Sequence, residues 1–381
     1  MSLDALRGAD MLFIMGFSGA VVAFCQLLGF GKDSWLAAQM THVAWHGFRH
    51  HDTIFPLFLF LAGVSWPYSL AGQRERGRST MRIVGKILLR ALCLFVLGLA
   101  TEKAFWRFDV PSFRYDTILA HIGICWGAAA LLTLFVRNFW ARLAVAVGIL
   151  AGHFLLLASV TAPDAAALLS HSDPAIAKIA TSYAATGTDG FSFAGNIAGW
   201  LDRTFMPGVL YENIFDPDGL LAKLPGIVTA LMGVWAGEIL RRNDLAGGRK
   251  TLILLVAALA TFALCMAWKP WCPVNKKLWT STFILAAGAY SFAALALFYW
   301  LVDVKGWRRW TFFFRVIGMN SIAIYMLMSF AGFYSMSHRF FAGVAGFGGE
   351  HWADFVYAIG QVVLEWLVLL YMYRKKTFLK V

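Results

Sequence analysis

About ten stretches of roughly 20 apolar residues run through the chain, each long enough to cross the hydrocarbon core of a bilayer as a helix. They lie at roughly 9–30, 53–71, 83–101, 117–136, 141–160, 220–240, 251–268, 279–302, 311–336 and 355–373. Little else can be built from such a chain. The expected fold is an all-α polytopic membrane protein with about ten transmembrane helices. Composition agrees: 60% of residues are hydrophobic and 14% charged, whereas soluble domains carry about 25% charged residues. The first run follows Asp4, Arg7 and Asp10 and lacks a small-residue cleavage site, so it reads as a true span and not a cleaved signal. Gly and Ser inside several runs suit the close approach of helices in a bundle.

Basic residues set the orientation. One set of connections holds Arg74, Arg76, Arg78 and Arg82; Arg137 and Arg142; Arg241, Arg242, Arg249 and Lys250; and Lys305, Arg308 and Arg309. With Arg7 and the tail residues Arg374, Lys375, Lys376 and Lys380 they make about 18 basic residues in about 50 positions, against about 11 in about 120 on the other side. The positive-inside rule then places both termini in the cytoplasm. The net charge of +12 follows from this topology, because the cations form short clusters between apolar runs and no stripe for a nucleic acid. Cys25, Cys93, Cys125 and Cys265 sit in apolar runs and only Cys272 in a loop, which disfavours a disulfide framework.

On the opposite side lie the two segments richest in chemistry. The longest connection, about 160–219, carries Asn196, Trp200, Asp202, Tyr211 and Asp216-Pro217-Asp218-Gly219. Its Trp200 and Tyr211 suit either sugar stacking or interfacial anchoring. Before the second span, Thr41 to Asp52 contains His42, His46, His50, His51 and Asp52. Titratable groups at the mouth of a span are functional candidates. His42 and His46 are spaced for a shared helical metal site, but no usual third ligand lies nearby and Gly47 interrupts a helix, so no metal is expected. His42 suits a catalytic imidazole, either taking a proton from an attacking amine or carrying an acyl group, with Asp52 orienting it. His46, His50 and His51 also fit an interfacial role, bonded to water and loop carbonyls. Lys276 and Lys277 oppose the positive-inside trend, which suggests a task beyond topology. Asn320, inside the ninth run, suits a ligand path or a bond to a neighbouring helix. Arg7 and Lys305, beside Asp4 and Asp303, lie on the basic side, where they can meet a phosphorylated donor or anchor the protein.

These residues fall in segments that resemble the heparan-α-glucosaminide N-acetyltransferase family, part of a wider group of transmembrane acyltransferases. The segments are Ser2-Leu3-Asp4-Ala5-Leu6-Arg7-Gly8, His42-Val43-Ala44-Trp45-His46-Gly47 and Asp52-Thr53-Ile54-Phe55-Pro56-Leu57-Phe58. Phe215-Asp216-Pro217-Asp218-Gly219-Leu220, Gly233-Val234-Trp235-Ala236-Gly237 and Pro273-Val274-Asn275-Lys276-Lys277-Leu278-Trp279 follow. Val302-Asp303-Val304-Lys305-Gly306, Gly318-Met319-Asn320-Ser321-Ile322 and Tyr373-Arg374-Lys375-Lys376 complete the series, in family order and over nearly the whole chain.

The resemblance implies one transmembrane acyltransferase-like domain over 1–381. It implies acetyl transfer from cytosolic acetyl-CoA to the amino group of a glucosamine-type sugar, such as a heparan sulfate end, across the membrane. His42 matches the family's active-site histidine, as acetyl carrier or general base, with Asp52 beside it. Trp45, His46, Asn275, Lys276 and Asn320 become acceptor-side candidates, and Arg7, Lys305 and His121 donor-side ones. The resemblance also implies a bacterial member in the inner membrane, starting at the first motif, with a homodimer among its expected states. Two departures stand out: His121 replaces an arginine of the family's Leu-Gln-Arg run, and Ser18 stands where the lysosomal enzyme has an asparagine. Bacterial relatives linked to N-acetylglucosamine use leave an inner-membrane amino-sugar transporter as the alternative, and loss of His42 would separate the two.

Overall fold

The computed structural model describes residues 1–170 and 187–379. Part of the long connection (171–186) and Lys380 and Val381 of the tail lie outside the described residues. Among the described residues there is no strand, only the isolated bridges Arg114–Gly208 and Thr161–Asn196. Nine helices among the described residues are long and apolar enough to cross a membrane, or ten if one bent pair counts as a span. The first span is α1 (Ser2–Leu12) and α2 (Ser18–Leu27), joined through a π-turn at Phe13–Phe17. Next come α3 (Ile54–Glu75), α4 (Thr80–Thr101), α5 (Ile118–Phe135) and α6 (Phe139–Ser159). A short helix of the long connection is α7 (Ile197–Phe205). The remaining spans are α8 (Lys223–Arg241), α9 (Gly247–Trp268), α10 (Ser281–Tyr299), the pair α11 (Thr311–Gly318) and α12 (Ser321–Phe330), and α13 (Glu350–Arg374).

Polar residues mark the helix starts. The side chains of Ser79, Thr117, Asn138 and Asn196 accept from the backbone N–H of Arg82, Ala120, Ala141 and Gly199, pairing donors that a helix N-terminus leaves free. Small residues then set the spacing between helices. A methyl group added at Gly63 would sit 2.1 Å from the Ala230 carbonyl oxygen, so α3 and α8 touch backbone to backbone. Gly8 and Gly318 do the same for α1 and α11, and a methyl on Gly318 would lie 1.9 Å from the Asp4 carbonyl oxygen. In a bilayer, where burial of apolar surface does not drive helices together, such contacts are what association rests on. Phe60, Trp66, Trp279 and Phe283 fill the space between these spans.

Besides the first span, kinked at Gly16 (φ +101°), the ninth run also departs from a continuous helix. The ninth run breaks at Met319-Asn320, and α11 and α12 meet at 67°. The tail supplies the reason. Asn320 donates from Nδ2 to the Thr377 carbonyl (3.0 Å) and accepts from the Leu379 N–H (3.1 Å), so its amide is committed to another segment.

The long connection folds back as a cap over the His42 end. Trp45, Phe193, Ile197, Ile214 and Phe215 form its apolar centre. Arg114 holds Asp216 with two 2.7 Å bonds and reaches Asp218 at 3.0 Å. Asp202 accepts from the backbone N–H groups of Asp216 and Leu220.

Candidate active site

His42 lies in an irregular segment between the short helix Trp35–Gln39 and the tight turn His50–Thr53 that leads into α3. Arg49 shapes this loop. Its guanidinium donates to Thr41 Oγ1 (2.8 Å) and to the His42 carbonyl (3.1 Å), while its N–H donates to Asp52 Oδ2 (3.1 Å). Gly47, at φ +135°, bends the chain so that its N–H reaches the Val274 carbonyl. That bond ties the histidine loop to the segment carrying Lys276.

Asp52 Oδ1 stands 2.8 Å from His42 Nδ1. The carboxylate is 2% exposed and the imidazole 51%. A buried acceptor behind Nδ1 favours the tautomer with the proton there, leaving the lone pair on Nε2. Lys276 Nζ lies 3.1 Å from Nδ1, 3.5 Å from Nε2 and 3.8 Å from Asp52 Oδ1. Being almost equidistant from both ring nitrogens, it lies along neither lone pair, so Asp52 and not Lys276 sets the tautomer. Burial pulls the Lys276 ammonium below lysine's usual range, with Asp52 and Asp218 opposing that pull. The His51 ring packs 4.5 Å from the His42 ring, and its Nδ1 is 3.1 Å from Ser18 Oγ. Ser18, one of the two departures from the family pattern, therefore supports the histidine next to His42.

Below this group opens a cavity of about 690 Å³. Its wall includes His42, His51 and Lys276 at one end and Asp4, Arg7 and Arg90 toward the basic end. Phe55, Phe58, Ala62, Ile118 and Ile122 line the stretch between. Arg7 pairs with Asp4 and bonds Ser65 Oγ on α3. Ser65 lies thirteen residues beyond Asp52 on one continuous helical run, which at 1.5 Å per residue separates the two ends by about 20 Å. Arg90 lies over the Trp126 ring at 4.2 Å, and its Nε is buried without a hydrogen-bond partner. Phe378 and Leu379 of the tail form part of the wall near Met319, held there by Asn320.

The sequence candidates separate into those that reach this cavity and those that do not. His42, Asp52, Lys276 and Arg7 belong to it. Asn275 stands one step behind: Oδ1 accepts from the Leu278 N–H (3.0 Å) and Nδ2 lies 3.3 Å from His46 Nδ1, so it shapes the lysine loop. Burial lowers the His46 imidazole's proton affinity, against the nearby Asp189. Trp45 is cap core, its Nε1–H donating to the Phe191 carbonyl. Asn320 holds the tail. Lys305 is exposed outside the cavity, its ammonium over the Trp300 ring. His121, on α5, is fully buried, stacked on Trp279 at 4.5 Å with Asp218 3.8 Å away, and it packs on Phe55 of α3, ten residues before the Ser65 that Arg7 bonds. Arg90 was not among the candidates, although an arginine within the apolar run 83–101 is itself a signal of function. Among the described residues no group of three or more His, Cys, Asp or Glu side chains is placed to hold a metal ion.

No family model matches the chain. Among curated proteins, heparan-alpha-glucosaminide N-acetyltransferase of Homo sapiens is 26% identical over 397 aligned residues, covering 89% of this chain and 55% of that protein. The protein of the same name from Mus musculus is 26% identical over 418, covering 100% of this chain and 61% of its own length. The chain is a distant relative of these N-acetyltransferases. It spans little more than half the length of either.

Proposed function

We infer that the chain transfers an acetyl group from acetyl-CoA, taken up at the basic face, to the amino group of a glucosamine-type sugar at the His42 face. The observation that carries this reading is the single cavity whose wall holds the His42–Asp52 pair at one end and Arg7 and Arg90 toward the other. A donor with an anionic head and a long thin arm suits that shape. The unpartnered Arg90 Nε is a donor waiting for an acceptor, since a buried N–H left unpaired costs about 1–3 kcal/mol.

His42 supports two routes. As acetyl carrier, Nε2 attacks the thioester carbonyl, the thiolate leaves, and the sugar amine then takes the acetyl group from the imidazole. As general base, Nε2 accepts the proton that the amine loses as it attacks the thioester directly. In both, Asp52 stabilises the positively charged ring, and Lys276 can meet the oxyanion formed beside Nε2. The orientation that suits this scheme has the basic face and both termini in the cytoplasm, as expected for a protein of the bacterial inner membrane.

The test uses the purified full chain in liposomes, with labelled acetyl-CoA at the basic face and glucosamine at the other. Labelled N-acetylglucosamine should form and should vanish in His42→Ala. Saturable passage of unmodified sugar without acetylation, unchanged in His42→Ala, would replace the transferase with a transporter.

A further inference from the structure

A second cavity, of about 440 Å³, lies at the basic ends of α3, α5, α6 and α8, lined by Arg74, Arg137, Arg142 and Arg241 with Glu75 and Glu238. Its floor is closed and apolar: Trp66, 2% exposed, donates its indole N–H to Thr133 Oγ1 (2.9 Å). Arg142 is buried, and Glu238 takes its two terminal nitrogens at 2.7 and 3.0 Å. That leaves Arg142 Nε buried with no hydrogen-bond partner. The site thus holds four arginines against two carboxylates, one of the carboxylates already spent on Arg142. Arg74, Arg137 and Arg241 are exposed at the rim.

The corner beside this cavity is apolar and faces outward. Phe135, Phe139 and Trp140, at the turn from α5 to α6, are 64%, 44% and 72% exposed. Val147 and Leu155 continue an exposed apolar face along α6. Cationic groups at the ends of membrane-spanning helices, next to a surface suited to acyl chains, have the layout by which membrane proteins hold anionic lipids.

We propose that this cavity binds the phosphate-bearing headgroup of an anionic phospholipid in the leaflet next to the basic face. The phosphate sits among Arg74, Arg137 and Arg241 above Arg142, and the acyl chains lie along Phe139, Trp140 and the outer face of α6. The site is separate from the His42 cavity and does not rest on the transferase reading.

The experiment is native mass spectrometry on the delipidated full chain, titrated with phosphatidylglycerol or phosphatidylcholine. Phosphatidylglycerol should be retained as a saturable adduct and phosphatidylcholine should not. Changing the three exposed rim residues together (Arg74→Gln, Arg137→Gln, Arg241→Gln) leaves the buried Arg142–Glu238 pair intact, and its melting temperature checks the fold. This variant should bind phosphatidylglycerol about 100-fold more weakly, at about 1 kcal/mol per arginine near the headgroups. Adding glycerol 3-phosphate is the deciding arm. Displacement of the lipid by this soluble phosphate at comparable concentration would make the site one for free phosphate esters and overturn the lipid assignment. Equal retention of both lipids, or no loss in the variant, would overturn it as well.

Discussion

His42 is half exposed while the carboxylate that holds it is enclosed, and this asymmetry fixes what each substitution removes. Asp52→Asn keeps the shape but can present its amide N–H₂ to Nδ1 and select the wrong tautomer. The expected result is a fall in kcat of at least about 100-fold with KM for both substrates nearly unchanged. A variant retaining near wild-type kcat would remove Asp52 from the mechanism. In the proposed scheme Arg90 acts in donor binding and not at the reacting atoms. Arg90→Met should raise KM for acetyl-CoA about 10-fold or more and spare kcat, since a hydrogen bond from a charged group contributes about 1.5–3 kcal/mol. Loss of kcat alone in steady-state assays would refute that division. Both residues were differently legible. His42 stood out because histidine and aspartate are rare beside a span, whereas Arg90 needed the fold to show that it faces a cavity.

At the scale of elements, the ninth span and the tail depend on each other. Asn320 makes two bonds to the tail backbone, each worth about 1 kcal/mol. Phe378 and Leu379 form part of the cavity wall, so Asn320→Ala should raise KM for acetyl-CoA several-fold with kcat retained. A fall in KM would instead make the tail a plug. The cap carries a different liability. Asp116, Asp202, Asp216 and Asp218 gather around Arg114 and Lys223, with Lys276 also acting on Asp218. Burial pushes the Asp202 carboxyl up to about 7 and that of Asp218 to about 6. A carboxyl whose affinity for protons is raised on folding stabilises the fold below its ordinary range, and that contribution is lost as pH rises through the folded value. The melting temperature of the wild type should therefore fall from pH 5 to pH 8, and Asp202→Asn should flatten part of the slope. Parallel pH profiles for the two proteins would rule Asp202 out as a contributor.

For the molecule as a whole, the two ends of one cavity must face different compartments for transfer across a membrane. Val110 is 55% exposed in the connection on the His42 side, and Arg76 is exposed among the basic loops. Of the five native cysteines, all free, four are buried, so background labelling is low. In intact bacterial cells, an impermeant thiol reagent should label Val110→Cys, and label Arg76→Cys only after lysis. The reverse pattern would invert the topology and place the donor end outside.

The order, extent and helical nature of the spans were determined by the sequence, because a segment in hydrocarbon must satisfy its own backbone and must be long enough to cross. The His42–Asp52 pair was legible for a related reason, since ionisable residues beside a span are costly to keep. Only the tertiary structure decided which polar residues share a space. It put Lys276, distant in the chain, against His42, and Arg90 into the wall of the same cavity. It also withdrew Trp45 into the cap core, turned Asn320 to the tail and stacked His121 on Trp279. Periodicity gives a helix its length and faces, but which face meets which neighbour depends on contacts such as Gly8–Gly318 and Gly63–Ala230, which form between segments far apart in sequence.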